Sequence, residues 1–204
     1  MRDGGTLRVL GVDPAAAGPT GYAIVESDGK RLQAVHFGAL VVAGKIKNGC
    51  PGDALHAVYE KICSLIAEFS PDVLAVESIF TALNMKTALR LAEVRGVVLL
   101  AAAQHGLSVS SYAPREVKAS VAGFGHADKR QVQLMVRAIL CMDVTPEPTD
   151  AADALAVALC HLQREEVRRR FDIPAVVAAT VPVQTVRTSR GATRLPGLRI
   201  QNSR

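Results

Sequence analysis

Apolar residues run almost unbroken from Leu7 to Val12 and stop at a single carboxylate, Asp13. A turn of small residues from Pro14 to Gly18 leads to a second apolar run, Tyr22 to Val25, and the pair reads as a hairpin inside a buried sheet. Arg31 to Val42 alternates around Val35, Phe37 and Leu40, which predicts a third strand and completes an antiparallel meander. Residues 43 to 52 read as loop. From Asp53 to Phe69 apolar residues recur at 55, 58, 59, 62, 65, 66 and 69, a helical stripe that Ser70-Pro71 stops. Asp72 to Glu77 is a short buried strand that ends, like the first, on a carboxylate.

The second half is mostly helical. Asn84 to His105 is rich in Ala and Leu, with Gly106 as its stop and Gly96 inside it as the mark of a close helix approach or a break. Ser108 to Tyr112 predicts a fifth strand, Pro114 opens a short helix through Val121, and Asp128 to Leu140 and Thr149 to about Arg170 predict two more. Three antiparallel strands followed by strands separated by helices imply an α/β domain. Its expected form is a mixed five-stranded sheet with helices on both faces.

At 204 residues the chain suits one domain, taken as residues 1 to 172, plus an extended or disordered Arg-containing tail over residues 173 to 204. The net charge of +5 resides in that tail, which holds five Arg and no acid, whereas residues 1 to 172 carry nineteen basic and nineteen acidic residues. A polyanion site on the folded part must therefore come from local segregation of charge. Cysteines 50, 63, 141 and 160 form no metal-ligand spacing and read as small buried thiols. Without an apolar stretch of membrane-spanning length or a signal-peptide core, a soluble cytoplasmic protein is expected.

The chemistry lies in the acids. Adjacent placement of the first and fourth strands would set Asp13 beside Glu77, and Asp150 and Asp153 share one face of the last helix's first turn. N-capping and the helix dipole also account for the helical pair, and turn amides for the strand-end acids. Taken together, four acids without a basic sequence neighbour favour a divalent cation, and oxygen-only ligands suit Mg²⁺ or Mn²⁺. Two such ions about 4 Å apart would serve phosphodiester cleavage, which implies a nuclease.

Gly11-Val12-Asp13-Pro14 with Thr20-Gly21-Tyr22, Ala75 to Phe80, Leu89 to Val97, Tyr112 to Lys118 and Thr149 to Ala156 form an ordered set across residues 7 to 163. This set resembles the crossover junction endodeoxyribonucleases, the RuvC-type resolvases. The resemblance implies a ribonuclease H-like fold and a homodimer that symmetrically nicks four-way DNA junctions in recombination and repair. It implies Asp13, Glu77, Asp150 and Asp153 as catalytic ligands of two Mg²⁺ ions, with Mn²⁺ able to substitute, and a branch-migration motor complex as partner. One position departs from the family pattern: Ala15 stands where glycine usually follows the Asp-Pro pair.

A junction nuclease must grip phosphates beside its acids. Residues 115 to 137 carry a local excess of three positive charges, and Lys118 and Lys129 match basic positions of the family at the DNA face. Lys118 is also expected to act in catalysis, while Arg115 and Arg130 are further candidate DNA contacts and His126 lies in the same basic loop. Phe80 resembles the family's aromatic at the junction centre, where it would stack on an unpaired base; core packing also accounts for it. The rival readings are another ribonuclease H-like nuclease and a non-catalytic junction-binding module. An actin-like ATPase would need a second phosphate turn that the chain lacks.

Overall fold

A computed structural model describes residues 5–16, 18–41, 51–78 and 84–172, together with 186–187 and 193–194. Strands β1 (Leu7–Asp13), β2 (Thr20–Ser27) and β3 (Leu32–Leu40) form the antiparallel meander. Helix α1 (Pro51–Phe69) leads to β4 (Val73–Glu77), α2 (Met85–Gln104) and β5 (Ser108–Tyr112), and the unit ends with α3 (Pro114–Ala122), α4 (Lys129–Ile139) and α5 (Thr149–Arg170). The five strands lie in the order β3-β2-β1-β4-β5, with β4 parallel to both β1 and β5. This is the expected mixed sheet.

Local signals set most of the boundaries. The Asn84 side chain accepts from the Thr87 N–H at 2.9 Å and caps α2, and Gly106 follows its end with φ 66°. Asp128 and Gln131 form a reciprocal capping box that starts α4. Of the loop expected over 43 to 52, residues 43 to 50 lie outside the described residues, and the last two are helical. Pro51 and Gly52 already belong to α1, because proline at a helix start gives up an N–H that would have no helical partner there.

The period of two along each strand divides the core. Leu10, Val12, Ile24, Leu74 and Val76 pack against α1 and α2 on one face. Val9, Ala23, Val25, Val73 and Ala75 pack against α3, α4 and α5 on the other. Helix α5 is buried almost all round from Ala151 to Leu162, with Asp153 the half-buried exception, as expected of a helix lodged at the centre of a layer. Gly96 lies in an uninterrupted helix, and a Cβ there would have no neighbour within 4 Å, so it serves no close approach among the described residues of this chain.

Met1–Ile173 and Pro174–Arg204 are separate compact units. In the second, Val186–Arg187 pairs antiparallel with Thr193–Arg194; the remainder of the tail lies outside the described residues. No helix among the described residues is long and apolar enough to cross a membrane.

Candidate active site

Strand register brings the first two acids together. Val12 pairs with Val76 in the parallel β1–β4 ladder, so the next positions, Asp13 and Glu77, end neighbouring strands. Counting by twos from Val9 and from Val73 puts both on the α5 side of the sheet. Helix α5 can approach that face because glycines lie beneath it. A Cβ on Gly11 would collide with the Ala154 carbonyl and lie 2.9 Å from the Ala158 Cβ. A Cβ on Gly21, the residue that pairs with Asp13 across the β1–β2 ladder, would collide with the Asp150 carbonyl. The small buried residues Ala151, Ala152, Ala154 and Ala158 complete this close contact.

A cleft of about 220 Å³ opens there, lined by Asp13, Glu77, Pro114, Val117, Lys118, Lys129, Val132, Asp153 and Ala156. Asp150 does not line it, although its charge acts weakly on Asp13. Neither helical acid is the N-cap of α5: that position is Pro148, which makes no side-chain cap bond. The carboxyl of Asp13 is held well above the usual carboxylate range, first by burial and then by repulsion from Glu77 and Asp153. Glu77 is also raised, by burial and by Asp153, while a hydrogen bond from Asp13 partly offsets this. Burial thus favours the protonated form of both strand-end acids, which share a hydrogen bond.

The basic residues complete the cleft. Lys129 Nζ lies 3.1 Å from Asp153 Oδ2, and this bond raises the lysine's pKa. Lys118 lines the cleft and its charge lowers the Glu77 pKa. Arg115, Arg130 and His126 are exposed around the α3–α4 connection. Phe80 lies outside the described residues. Behind Asp13, the Ala15 N–H donates to Thr20 Oγ1 at 3.5 Å, so the turn that carries Ala15 closes on a buried threonine.

Among the described residues no three His, Cys, Asp or Glu side chains form a finished metal cage. The donor chemistry nonetheless fits a hard divalent cation: all the candidate ligands are carboxylates, and those of Asp13 and Glu77 are poorly solvated and repelled by neighbouring acid charge. A divalent cation held between the carboxylates would relieve that repulsion more completely than the Lys118 and Lys129 ammoniums do.

Spacing and motif did not find the contacts that hold these parts in register. Tyr112 Oη and His161 Nδ1 are 2.7 Å apart in the interior, Arg164 pairs with Glu116 at 2.7 Å, and Ser120 donates to Gln163. These three contacts tie β5 and α3, the helix of Lys118, to α5, the helix of Asp153. Their only sequence trace is polar residues recurring along two helices, which a solvated face also produces.

The family model for crossover junction endodeoxyribonuclease RuvC matches residues 9–161. A crossover junction endodeoxyribonuclease RuvC of Syntrophomonas wolfei is 44% identical over 156 residues, covering 76% of this chain and 88% of the relative. The structure of T. thermophilus RuvC in complex with Holliday junction substrate aligns with a TM-score of 0.73 at 30% identity, over 79% of this chain and 96% of that one. The yeast mitochondrial Holliday junction resolvase Ydc2 shares the fold at 14% identity, with a TM-score of 0.60 over 81% of this chain and 82% of that one.

Proposed function

The chain belongs to the crossover junction endodeoxyribonuclease RuvC family, and we propose that it resolves four-way DNA junctions by metal-dependent phosphodiester hydrolysis at the cleft around Asp13. The observation that carries this reading is Asp13 itself. It is a buried carboxylate pressed by Glu77 and Asp153 at the end of a central strand, a costly arrangement in a purely structural role.

Asp13, Glu77, Asp150 and Asp153 would hold the metal, which we take as two Mg²⁺ ions with Mn²⁺ able to substitute. Bound there, the ions would activate water and stabilise the leaving oxygen. The residues of the chain orient and charge the site. Asp13 and Glu77 supply oxygens from rigid strand ends, and Asp153 supplies one from a helix fixed by close packing. Lys118 holds the scissile phosphate toward the acids, and Lys129 tempers their charge and grips the strand beside them. Arg115 and Arg130 bind flanking phosphates, and Phe80 stacks at the branch.

Symmetric cutting of two strands requires two sites, so a homodimer is part of the proposal. Helix α2 supports it: Met85, Leu89 and Leu100 are exposed at 75, 58 and 52%, and Gly96 interrupts their stripe with open space in which a second helix can approach. A branch-migration motor that brings junctions to the cutting position is the remaining partner, and the cytoplasm is the proposed location.

The test is incubation of the protein in Mg²⁺ with an end-labelled four-way junction, a linear duplex and an RNA–DNA hybrid. Paired nicks confined to the junction are expected. Preferential cutting of the hybrid would instead assign a different ribonuclease H-like nuclease, and binding of the junction without any nick would assign a non-catalytic module.

A further inference from the structure

Among the described residues two phenylalanines are exposed, Phe124 at 49% and Phe171 at 67%. Phe171 caps the C-terminal end of α5, remote from the acids of its first turn. Phe124 is different, because it lies in the α3–α4 connection between the helix of Lys118 and the helix of Lys129. Isolated exposed apolar side chains are common and need no explanation by themselves. What distinguishes this one is the framework around it.

The connection is fastened at both ends and in its middle. Val121 and Ala127 are buried on either side of it. Gly123 takes the left-handed conformation at φ 85° and donates to Ala119 at 3.0 Å, and the Ala127 N–H donates to the Phe124 carbonyl at 3.3 Å. Gly125 lies so close to the first turn of α3 that a Cβ on it would sit 3.1 Å from the Arg115 carbonyl. The ring of Phe124 is thus presented to solvent from a backbone with little freedom. Among the described residues of this connection and its flanking turns, Arg115 and Arg130 are exposed, whereas Glu116 is paired with Arg164 and Asp128 is engaged as the α4 cap.

An exposed aromatic ring on a fixed loop, flanked by cationic side chains that track a backbone, is the arrangement that binds an unstacked base: the cations hold phosphates and the ring takes the π-face. We propose that Phe124 stacks on a base of the junction strand that runs past Lys118 and Lys129, and so fixes the position of that strand relative to the acidic cleft. This rests on the resolvase reading and adds a second aromatic contact, from the α3–α4 connection, to the one proposed for Phe80. Every base offers a π-face, so the contact favours branched DNA with unstacked bases over linear duplex, with little dependence on sequence.

The chain contains no tryptophan, so Phe124→Trp introduces a sole indole at this position. In an Asp13→Asn background, which keeps the DNA uncut, its emission is expected to be quenched on titration with a four-way junction and much less with linear duplex. In the otherwise native chain Phe124→Ala is expected to weaken junction binding about tenfold, with an unchanged melting temperature because the ring is exposed, and Phe124→Tyr is expected to retain binding. If the native protein binds and cuts junctions while Phe124→Ala binds as tightly and the indole emission is unmoved at saturation, this assignment is wrong and the resolvase reading stands. A fall in melting temperature of Phe124→Ala with no change in indole emission makes the ring a structural residue and overturns the assignment. If the native protein neither binds nor cuts a junction, both readings fall.

Discussion

The backbone carbonyl of Asp150 rests on Gly21, the residue that pairs with Asp13 across the first hairpin. The missing side chain here, together with that of Gly11 one turn further along α5, sets the separation between the strand acids and the helix acids. Nothing larger than hydrogen fits at that point without moving the first turn of α5.

Gly21→Ala is expected to be far more damaging than its chemistry suggests. Overpacking at a site this tight costs about 1–3 kcal/mol, which lowers the melting temperature by roughly 2–12 °C. Activity should fall further than stability does, since a displacement of about 1 Å at reacting groups costs on the order of a hundredfold in rate. Junction nicking measured well below the melting temperature separates the two losses, and a variant that nicks at the native rate would remove the glycine from the argument.

Asp13→Asn is expected to abolish nicking in Mg²⁺ while junction binding persists, and to stabilise the metal-free protein. The folded pKa of Asp13 lies above its unfolded value, so its contribution to stability is full below the unfolded pKa and is lost as pH rises through the folded one. In chelator, the variant should melt higher than the native chain at about pH 8, with the gap closing toward about pH 4. Melting curves across that range check the sign. Residual nicking, or a variant that melts lower at the alkaline end, would count against the acid cluster as drawn.

Lys118→Ala is expected to weaken junction cleavage and to reduce the slope of log affinity against log salt by about one unit, the signature of one lost phosphate contact. Titrations at several salt concentrations measure that slope directly. An unchanged slope and rate would exclude Lys118 from the DNA face.

The reach of the sequence follows the range of the interactions involved. The strand ends at Asp13 and Glu77, the helix between Asn84 and His105, the stop at Gly106 and the span of α5 are written in local patterns, and the structure has them where those patterns predict. Spacing of three residues puts Asp150 and Asp153 on one helical face, but it does not say that Asp153 alone reaches the cleft wall. That difference is set by where α5 meets Gly11 and Gly21, contacts that span more than a hundred residues and leave no periodic trace. The pairing of Lys129 with Asp153 is equally nonlocal. A basic segment can be read from sequence, but which of its lysines turns toward an acid cannot.

The interior pair Tyr112–His161 gives a prediction independent of metal and DNA. Burial pushes the His161 pKa down, reinforced by Arg164 and Arg168 and opposed by Glu165, and burial pushes the Tyr112 hydroxyl up to about 12. At neutral pH both groups are therefore neutral, and Tyr112 Oη and His161 Nδ1 share one hydrogen bond in the interior. With its folded pKa below the unfolded one, His161 contributes stability that is present above about pH 6.5 and is lost as pH falls toward the folded value. One group of this kind can change stability by at most about 1.4 kcal/mol per pH unit. The loss would act on the seam that ties Lys118's helix to Asp153's helix. His161→Gln, which keeps a hydrogen-bonding partner for Tyr112 but does not titrate, should flatten the stability curve between about pH 7 and pH 5 relative to the native chain. Denaturant melts at matched ionic strength measure the difference. Parallel curves would mean that His161 titrates alike in the folded and unfolded chains, and that its burial has no acid-side consequence.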